Sequence, residues 1–406
     1  MPFHHSASHR PGTTLPTLSS PAEIEQATEA LAQALAANAI ERDRAGGHAA
    51  AERELIRASG LLDLTTPRAY GGWGQSWETF YASLRRIAQA DSSLAHLYAF
   101  HHLQVATILL YGKPEQHEFF LRHTVEQRLF WGNALNPNDK RALAIEDGEG
   151  WRISGPKSYC SGSVGSDSLT FSAWHEPSQS LLIGALPSDR AGISIRADWD
   201  AFGQKQTDSG SVIFDHVRLQ AHEVLVRPGQ APTPRATLRS QMAQLILTNL
   251  YVGIARGALE EGLRYTRDSS RPFFASGVSR AVDDPYVQQR YGQLAVLVRP
   301  AEVLADLAAQ AIDQALALGD AVTAEERGRV AIAVAEAKAV AHRAAVEVSS
   351  QIFELTGASA TSARFGLDRF WRNARVHTLH DPIDYKLRDL GRHALTGAFP
   401  EPTSYS

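Results

Sequence analysis

The sequence is poor in cysteine and contains no long apolar run. Its one cysteine, Cys160, excludes an internal disulfide and a cysteine metal cluster, which favours a reducing compartment, and we expect a cytoplasmic protein. No stretch approaches the roughly 18 consecutive apolar residues of a membrane-spanning helix, so we expect no membrane partner. Residues 1–19 lack an apolar signal core and predict a flexible N-terminal arm.

Further absences narrow the function. A formal net charge of −4 provides no broad basic field, which argues against nucleic acid as a partner. No Gly-x-Gly-x-x-Gly follows a predicted strand, and no Gly-x-x-x-x-Gly-Lys-[Ser/Thr] loop is present, so the chain shows no nicotinamide domain of its own. His377 and His380 lack the spacing and the glutamate of a zinc helix, and we expect no metal site.

Helical signals dominate the first third of the chain. Ser20, Pro21 and Glu23 form a capping box with proline at the first helical position, which predicts a long helix that ends at Gly46. Helical spacing returns over residues 52–58 and 77–110, interrupted by the turn-forming "PRAYGGWG" and by Asp91. We therefore predict an N-terminal α-helical domain over residues 20–128.

The middle and the end of the chain differ in pattern. Short β-rich runs ("WRISG", "SLTFSAW", "SLLIGALP", "GISIR", "GSVIFDHVRL") predict a small antiparallel β domain over residues 129–232. After the proline-rich linker "RPGQAPTPR", residues 233–406 show the periodicity of long helices. These alanine-rich helices carry few charges, which favours packing against another subunit; a well-buried monomeric bundle is the alternative.

This order of domains, together with several motifs, resembles the acyl-CoA dehydrogenase fold: mainly α with a small β domain, and a C-terminal four-helix bundle. "GPKSYCSG" (155–162) is similar to the family's strand beside the flavin, and "GSVIFDHVRL" to a second family strand. "YTRDSSRPFF" (265–274) lies where the family has an arginine and a phenylalanine that contact a neighbouring subunit's flavin. The match covers nearly the whole chain from about residue 20.

Departures from the dehydrogenase pattern point to one branch of the family. The chain has "WGNALNPNDK" (131–140) where dehydrogenases have Thr-Glu-Pro. It has His380-Asp381-Pro382-Ile383 where they have Tyr-Glu-Gly-Thr, whose glutamate is often the catalytic base. These motifs resemble the flavin-dependent monooxygenases, the branch that includes alkanesulfinate and dibenzothiophene monooxygenases.

The resemblance implies a cofactor, partners and a reaction. Reduced FMN would come from a separate NAD(P)H:FMN reductase, and O2 would be the co-substrate. A flavin C4a-hydroperoxide would oxygenate a small organosulfur compound, either an alkanesulfinate such as methanesulfinate or a dibenzothiophene-type sulfide. A homotetramer is the expected assembly. Water must be kept away from such an adduct, and a positioned proton donor suits histidine.

The resemblance also implies catalytic residues. His380 occupies the motif that replaces the dehydrogenase base, and His96 lies on the helix that faces the substrate, although His101 and His102 leave that choice open. Asn133 and Ser161 match positions at the flavin and offer hydrogen bonds to it or to the peroxide. For each residue the alternative is a structural role in a helix, strand or turn.

A second group of residues is expected to bind the cofactor. We expect Tyr159 to cover the flavin ring, Trp199 to wall the pocket and Asp381 to orient His380 or the flavin. The alternatives are a turn or strand role for Tyr159, core packing for Trp199 and a helix-starting Asp-Pro for Asp381. A guanidinium fork suits a phosphate, which makes Arg271 the expected FMN phosphate ligand, with Phe274 beside the ring. Further candidates for a phosphate contact, or alternatively for a salt-bridged helix face, are Arg369 and Arg375. Cys160, next to Ser161 on the same predicted strand, is expected to be structural.

Three other functions compete with this prediction. The first is an FMNH2-dependent hydroxylase of an aromatic or amino-sugar substrate, which would need a differently shaped cavity. The second is an FAD-dependent acyl-CoA dehydrogenase, since Asp381 aligns with the family glutamate; such an enzyme should hold FAD tightly and bleach with acyl-CoA. The third is a non-catalytic flavin-binding protein, which would form no oxygen adduct.

Overall fold

The computed structural model describes residues 18–148 and 150–406, so the predicted arm over residues 1–19 lies almost entirely outside the described residues. Six helices build the N-terminal part: α1 (Pro21–Ala36), α2 (Ala39–Ala45), α3 (Ala50–Ala58), α4 (Trp77–Ala90), α5 (Ser92–Tyr111) and α6 (Pro114–Gln127). In the described parts of the chain, none of the helices is both long enough and apolar enough to cross a membrane.

Local capping chemistry sets the ends of these helices. The Ser20 hydroxyl accepts from the Glu23 N–H at 3.3 Å while the Glu23 carboxylate accepts from the Ser20 N–H at 2.9 Å, so the predicted capping box is confirmed. Asp91 ends α4 and caps α5, accepting from the N–H groups of Ser93 and Leu94 at 2.9 and 3.1 Å. The prediction of one helix up to Gly46 was wrong, because the chain breaks at residues 37–38 before α2.

The central part forms one sheet of eight strands. Their bounds are β1 (Trp131–Ala134), β2 (Leu143–Asp147), β3 (Gly150–Lys157), β4 (Ser168–His175), β5 (Ser180–Pro187), β6 (Ile193–Ile195), β7 (Val212–Leu219) and β8 (Val224–Val226). The order is β6-β7-β3-β2-β4-β5-β8, with β1 beside β4.

The sheet is mixed, which corrects the prediction of an antiparallel domain. Most neighbours are antiparallel, but β1 runs parallel to β4 with Trp131 opposite Ser168, and Leu143 of β2 pairs in parallel with Trp174. All four residues of β1 are buried, and the strand lies against helix α5 as well as beside β4. Such a short buried strand has no alternating pattern, so the sequence did not reveal it.

The C-terminal part consists of helices that pack against one another and against the N-terminal helices. The helices are α7 (Pro234–Asp268), α8 (Pro285–Ala317), α9 (Ala324–Thr356), α10 (Asp368–His377) and α11 (Ile383–Thr396). Helix α7 packs against α4, α5, α8, α9 and α10. A Cβ on Gly253 of α7 would lie 2.5 Å from the Ala88 Cβ of α4, so a residue without a side chain is needed at this close approach. Helix α7 thereby brings α5 and α10, two helices with candidate histidines, into one core.

Candidate active site

Helix α5 carries three buried histidines, and two of them are tied to backbone groups. His101 Nδ1 accepts the Trp131 N–H at 3.2 Å, and its Nε2 donates to the Leu62 carbonyl at 3.0 Å. His102 Nδ1 pairs with the Thr65 hydroxyl at 2.8 Å, and its Nε2 lies 3.0 Å from the Leu61 carbonyl. Both rings therefore use both of their nitrogens in hydrogen bonds that connect α5 to neighbouring segments.

His96 differs from these two neighbours because neither of its ring nitrogens has a hydrogen-bond partner among the described residues, although both are buried. The ring stacks on Phe100 with centroids 3.9 Å apart, and lies 4.9 Å from the ring of His377. Burial, and then the nearby His377 and His380, lower the pKa of His96 well below its usual value, so the ring is neutral near pH 7. This geometry leaves His96 as the α5 histidine whose nitrogens are available to a ligand.

His377, the last residue of α10, was not predicted as a site residue. Its Nδ1 is also buried without a partner, while its backbone carbonyl accepts the Tyr251 hydroxyl at 2.9 Å. Burial, followed by the charges of His380 and Lys338, lowers the pKa of His377 to about 3. The sequence signal for His377 is its position three residues before His380, a spacing interpreted above only with respect to a zinc site.

His380 follows α10 and is held from one side. Its Nδ1 lies 3.0 Å from an Asp381 carboxylate oxygen, and the same oxygen lies 2.5 Å from Lys338 Nζ on α9. Lys338, only 1% exposed, also donates to Gln244 of α7. Because an Nδ1–H donated to the carboxylate fixes the tautomer, Nε2 is left as the acceptor on a side chain that is 40% exposed.

The Asp381 carboxylate is tied up by its two partners. Burial acts to raise the pKa of Asp381, but the hydrogen bond from His380 and the charge of Lys338 outweigh it and hold the pKa well below its usual range. The Lys338 pKa is lowered by burial, against the opposing pull of this carboxylate. Asp381 therefore contacts His380 directly, and its expected role in orienting that histidine stays a prediction.

Ser161 lies in a turn after β3, which corrects the prediction that Cys160 and Ser161 share a strand. Strand β3 ends at Lys157, and Tyr159 adopts a left-handed φ of 58° that breaks the extended conformation. The Ser161 hydroxyl lies 2.8 Å from that of Ser209, which donates to Thr207 at 2.8 Å. Ser161 thus ends a short chain of hydroxyl groups.

The side chains around this turn separate into two environments. Cys160 is buried in the apolar core of the sheet, and burial raises the pKa of its thiol to about 12, which fits a structural residue. The Asn133 N–H donates to the Ser161 carbonyl at 2.9 Å, and the Asn133 side-chain oxygen accepts the Leu135 N–H at 3.2 Å. Asn133 and Ser161 are therefore direct neighbours.

The loop after β1 connects this turn to His380. Lys157, which is fully buried, donates to the carbonyls of Asn136 and Asp139 at 2.6 and 2.5 Å and so fixes the loop. Asn138 of the loop donates to the Tyr405 hydroxyl at 3.2 Å, and the Tyr405 ring lies edge-on to His380 at 5.4 Å. Neither Lys157 nor Tyr405 was predicted as a site residue, since both contacts depend on the tertiary fold.

The expected ring-covering residues are partly open to solvent. Tyr159 is 65% exposed and meets Trp199 edge to face at 6.1 Å, while the Trp199 ring N–H donates to the Gln204 carbonyl at 2.9 Å. Arg271 and Phe274 lie between α7 and α8, and Phe274 is 91% exposed. Within the described residues of a single chain, neither Arg271 nor Phe274 has a ring contact or hydrogen bond to His96, His377 or His380.

The two α10 arginines have different surroundings. Arg369 is buried; it donates to the Gly366 carbonyl at 2.9 Å, lies over the Phe370 ring at 4.1 Å and approaches Glu261 at 3.9 Å. Burial lowers the pKa of Arg369. Arg375 is partly exposed and forms no salt bridge with any described residue. Of the two, Arg375 is the freer cation, and Arg369 is already used inside its own chain.

Two family models match the chain. Residues 22–128 match the acyl-CoA dehydrogenase N-terminal domain, and residues 245–385 match the acyl-CoA dehydrogenase C-terminal domain.

Relatives with similar sequences or structures extend this match. A probable FMNH2-dependent monooxygenase from Pseudomonas putida, SfnC, is 46% identical, with 93% of this chain and 95% of the relative aligned. The structure of methanesulfinate monooxygenase MsuC from Pseudomonas fluorescens has a TM-score of 0.92 at 46% identity, covering 94% of this chain and 99% of the other. FMN-bound TdsC, a dibenzothiophene monooxygenase from Paenibacillus sp. A11-2, has a TM-score of 0.91 at 42% identity, covering 95% and 100%.

Proposed function

Because the chain belongs to the acyl-CoA dehydrogenase family, in which its similar relatives are monooxygenases, we propose that it is an FMNH2-dependent monooxygenase of an organosulfur compound. The observation that carries this proposal is the pairing of an oriented histidine, His380, with a buried histidine, His96, that has no protein partner. The first supplies a proton-transfer group, and the second supplies polar atoms for a ligand.

FMN fits the residues of β1 and of the turn after β3. Tyr159 and Trp199 offer partly exposed ring surface to a planar cofactor, next to the hydroxyl of Ser161 and the amide of Asn133. The exposed guanidinium of Arg271 suits the FMN phosphate. When bound in its reduced form, FMN supplies the activation of O2 for which the chain has no group of its own.

We assign the proton handling to His380 and the polar contacts to the residues near it. His380 keeps Nε2 available because Asp381 holds Nδ1, so the ring can hold or donate a proton at the reacting edge of the cofactor. Ser161 and Asn133, joined by a backbone hydrogen bond, provide a hydroxyl and an amide. His96, neutral and buried, faces the substrate and helps to exclude water.

The same geometry argues against the acyl-CoA dehydrogenase reaction. That reaction needs a carboxylate free to remove a carbon-bound proton. Asp381 is buried and bound to both Lys338 and His380, and these partners hold its pKa low, which makes it a weak base. The carboxylate at this position is therefore suited to orientation rather than to proton abstraction.

The proposal includes a reductase and a homotetramer. A separate NAD(P)H:FMN reductase would supply the reduced flavin, and both proteins would work in the cytoplasm. The tetramer is supported by an exposed apolar stripe on α8, where Val296, Val303 and Leu307 are 70, 41 and 53% exposed at helical spacing. It is also supported by Phe274, whose exposed ring would find cover against another subunit. In such an assembly Arg271 and Phe274 would serve a neighbouring site.

The test is direct turnover. The purified chain is mixed with a flavin reductase, FMN, NADH and ¹⁸O₂, together with methanesulfinate or dibenzothiophene, and products are analysed by mass spectrometry. We expect one labelled oxygen in the product, no product without the reductase, and hydrogen peroxide in place of product for the His380→Ala variant. Reduction of a tightly held FAD by an acyl-CoA, with no oxygenated sulfur product, would contradict the proposal.

A further inference from the structure

Among the described residues, His96 and His377 leave three buried ring nitrogens without hydrogen-bond partners: both nitrogens of His96 and Nδ1 of His377. The two rings belong to different helices, α5 and α10, and their centroids are 4.9 Å apart. A buried polar group without a partner is costly, so such groups are rare in folded proteins unless a ligand or water completes them. Two such rings side by side therefore point to a polar ligand.

The neighbours of the pair show that packing does not require histidine there. His101, on the same helix as His96, uses both its ring nitrogens for backbone contacts. His96 has ring contacts to Phe100 and His377 but no hydrogen bond to any described residue, and ring contacts do not require a ring nitrogen. The polar atoms of His96 thus serve nothing within the described parts of the chain.

The electrostatic surroundings favour oxygen atoms as the ligand. Both rings are neutral near pH 7, and each neutral imidazole carries one N–H donor. Lys338 is a positive neighbour of His377, while the charge of Asp381 is shared between Lys338 and the Nδ1–H of His380. Two donors beside a cation suit a pair of partly negative oxygens.

We propose that His96 and His377 form the subsite that binds the oxygen atoms on the substrate's sulfur, and that the substrate is a small sulfinate. This assignment rests on the proposed function. A sulfinate has two oxygens on one sulfur, so each ring donates one hydrogen bond and the sulfur lone pair is left facing the site of oxygen transfer. A thiophene-type sulfide has no such oxygens and would leave the buried nitrogens unpaired.

The experiment measures binding separately from turnover. Sodium methanesulfinate is titrated calorimetrically into the full-length protein, with and without oxidised FMN, for the wild type, His377→Leu, His377→Gln and His175→Gln. His175 lies at the end of β4 and bonds to Ser178, so it serves as a matched histidine control. Thermal melting checks that each variant is folded.

We expect His377→Leu to weaken methanesulfinate binding by about 10- to 100-fold, the effect of one hydrogen bond to a charged group. His377→Gln, which keeps an N–H donor, should recover part of this loss, and His175→Gln should bind like the wild type. In turnover, the His377→Leu change should raise KM for methanesulfinate far more than it lowers kcat. A purely structural role would instead lower the melting temperature and leave KM unchanged.

Two results would overturn the subsite. One is a wild-type protein that does not bind methanesulfinate with or without FMN, which would mean that water alone occupies the pair. The other is oxygenation of methanesulfinate with the same KM in His377→Leu, which would leave the monooxygenase proposal intact. Conversely, His377-dependent binding without any oxygenation would contradict the proposed function and leave the subsite standing.

Discussion

Replacing His96 should stabilise the ligand-free protein, whereas replacing its neighbour His101 should destabilise it. His96 buries two ring nitrogens with no partner. Each such group costs about 1–3 kcal/mol of folding free energy, and leucine removes both costs at a similar volume. Loss of the Phe100 stack, about 0.5–1.5 kcal/mol, offsets part of this gain. We expect His96→Leu to raise the free energy of unfolding by about 1–3 kcal/mol.

His101→Leu is the matched opposite case. It removes two hydrogen bonds and leaves the Trp131 N–H and the Leu62 carbonyl buried without their partner. At about 1–3 kcal/mol for each orphaned group, the variant should lose at least about 2 kcal/mol. The two leucine variants on one helix are therefore predicted to differ by about 3 kcal/mol or more, with opposite signs relative to the wild type.

The assay is urea unfolding of the flavin-free protein, followed by tryptophan fluorescence, with the slope checked to be the same in all three proteins. Turnover is measured in parallel, and His96→Leu should lose product formation despite its greater stability. If His96→Leu lost as much stability as His101→Leu, His96 would have a partner in the folded protein, and the reasoning from unpaired nitrogens would be refuted.

Three further predictions use other parts of the site. Asp381→Asn should cost about 3–5 kcal/mol because it leaves Lys338 buried without a counter-ion, and the double variant with Lys338→Met should cost less than the sum of the single changes; additive urea-unfolding energies would contradict this. Burial lowers the pKa of His101 from 6.5 to about 3, so below about pH 6.5 the unfolded chain binds a proton that the folded chain does not, and the free energy of unfolding decreases as the pH is lowered. The His101 share of this loss between pH 7.5 and 5.5 should be about 1.4 kcal/mol, and His101→Asn should show a correspondingly weaker pH dependence. Arg271→Ala and Phe274→Ala should weaken FMN binding in fluorescence titrations without lowering the melting temperature, because Phe274 is 91% exposed in the single chain; unchanged FMN affinity in both would remove them from the cofactor site.

The parts of the fold that sequence could predict are those specified by neighbouring residues. The Ser20 capping box and the Asp91 cap rest on contacts two or three residues apart, so they are visible in the sequence. Strands β3 to β7 alternate or end at turn residues. The break at residues 37–38 and the buried strand β1 have no such signal, because tertiary packing rather than local preference decides them.

The candidate site divides in the same way. The resemblance to a known family supplied His380, Asp381, Asn133 and Ser161 as site candidates, and their roles stay predictions. The choice between His96 and His101 stayed open in the sequence, since it depends on which ring meets the backbone of Leu62, 39 positions away from His101. His377 was missed for the same reason, because its contact with the ring of His96 joins two different helices.

Lys338 offers a physical reason why the proposed monooxygenase would not use the proton abstraction of the acyl-CoA dehydrogenases. A carboxylate alone at this position would be a base, whatever residue preceded it. Lys338 lies 2.5 Å from Asp381 and is buried with it, so the negative charge is neutralised on the protein side and the carboxylate can only orient its second partner. In the proposed reaction, the group left free to exchange a proton is then the imidazole of His380. A single buried lysine on α9 would thus move the acid–base function from a carboxylate to the histidine beside it.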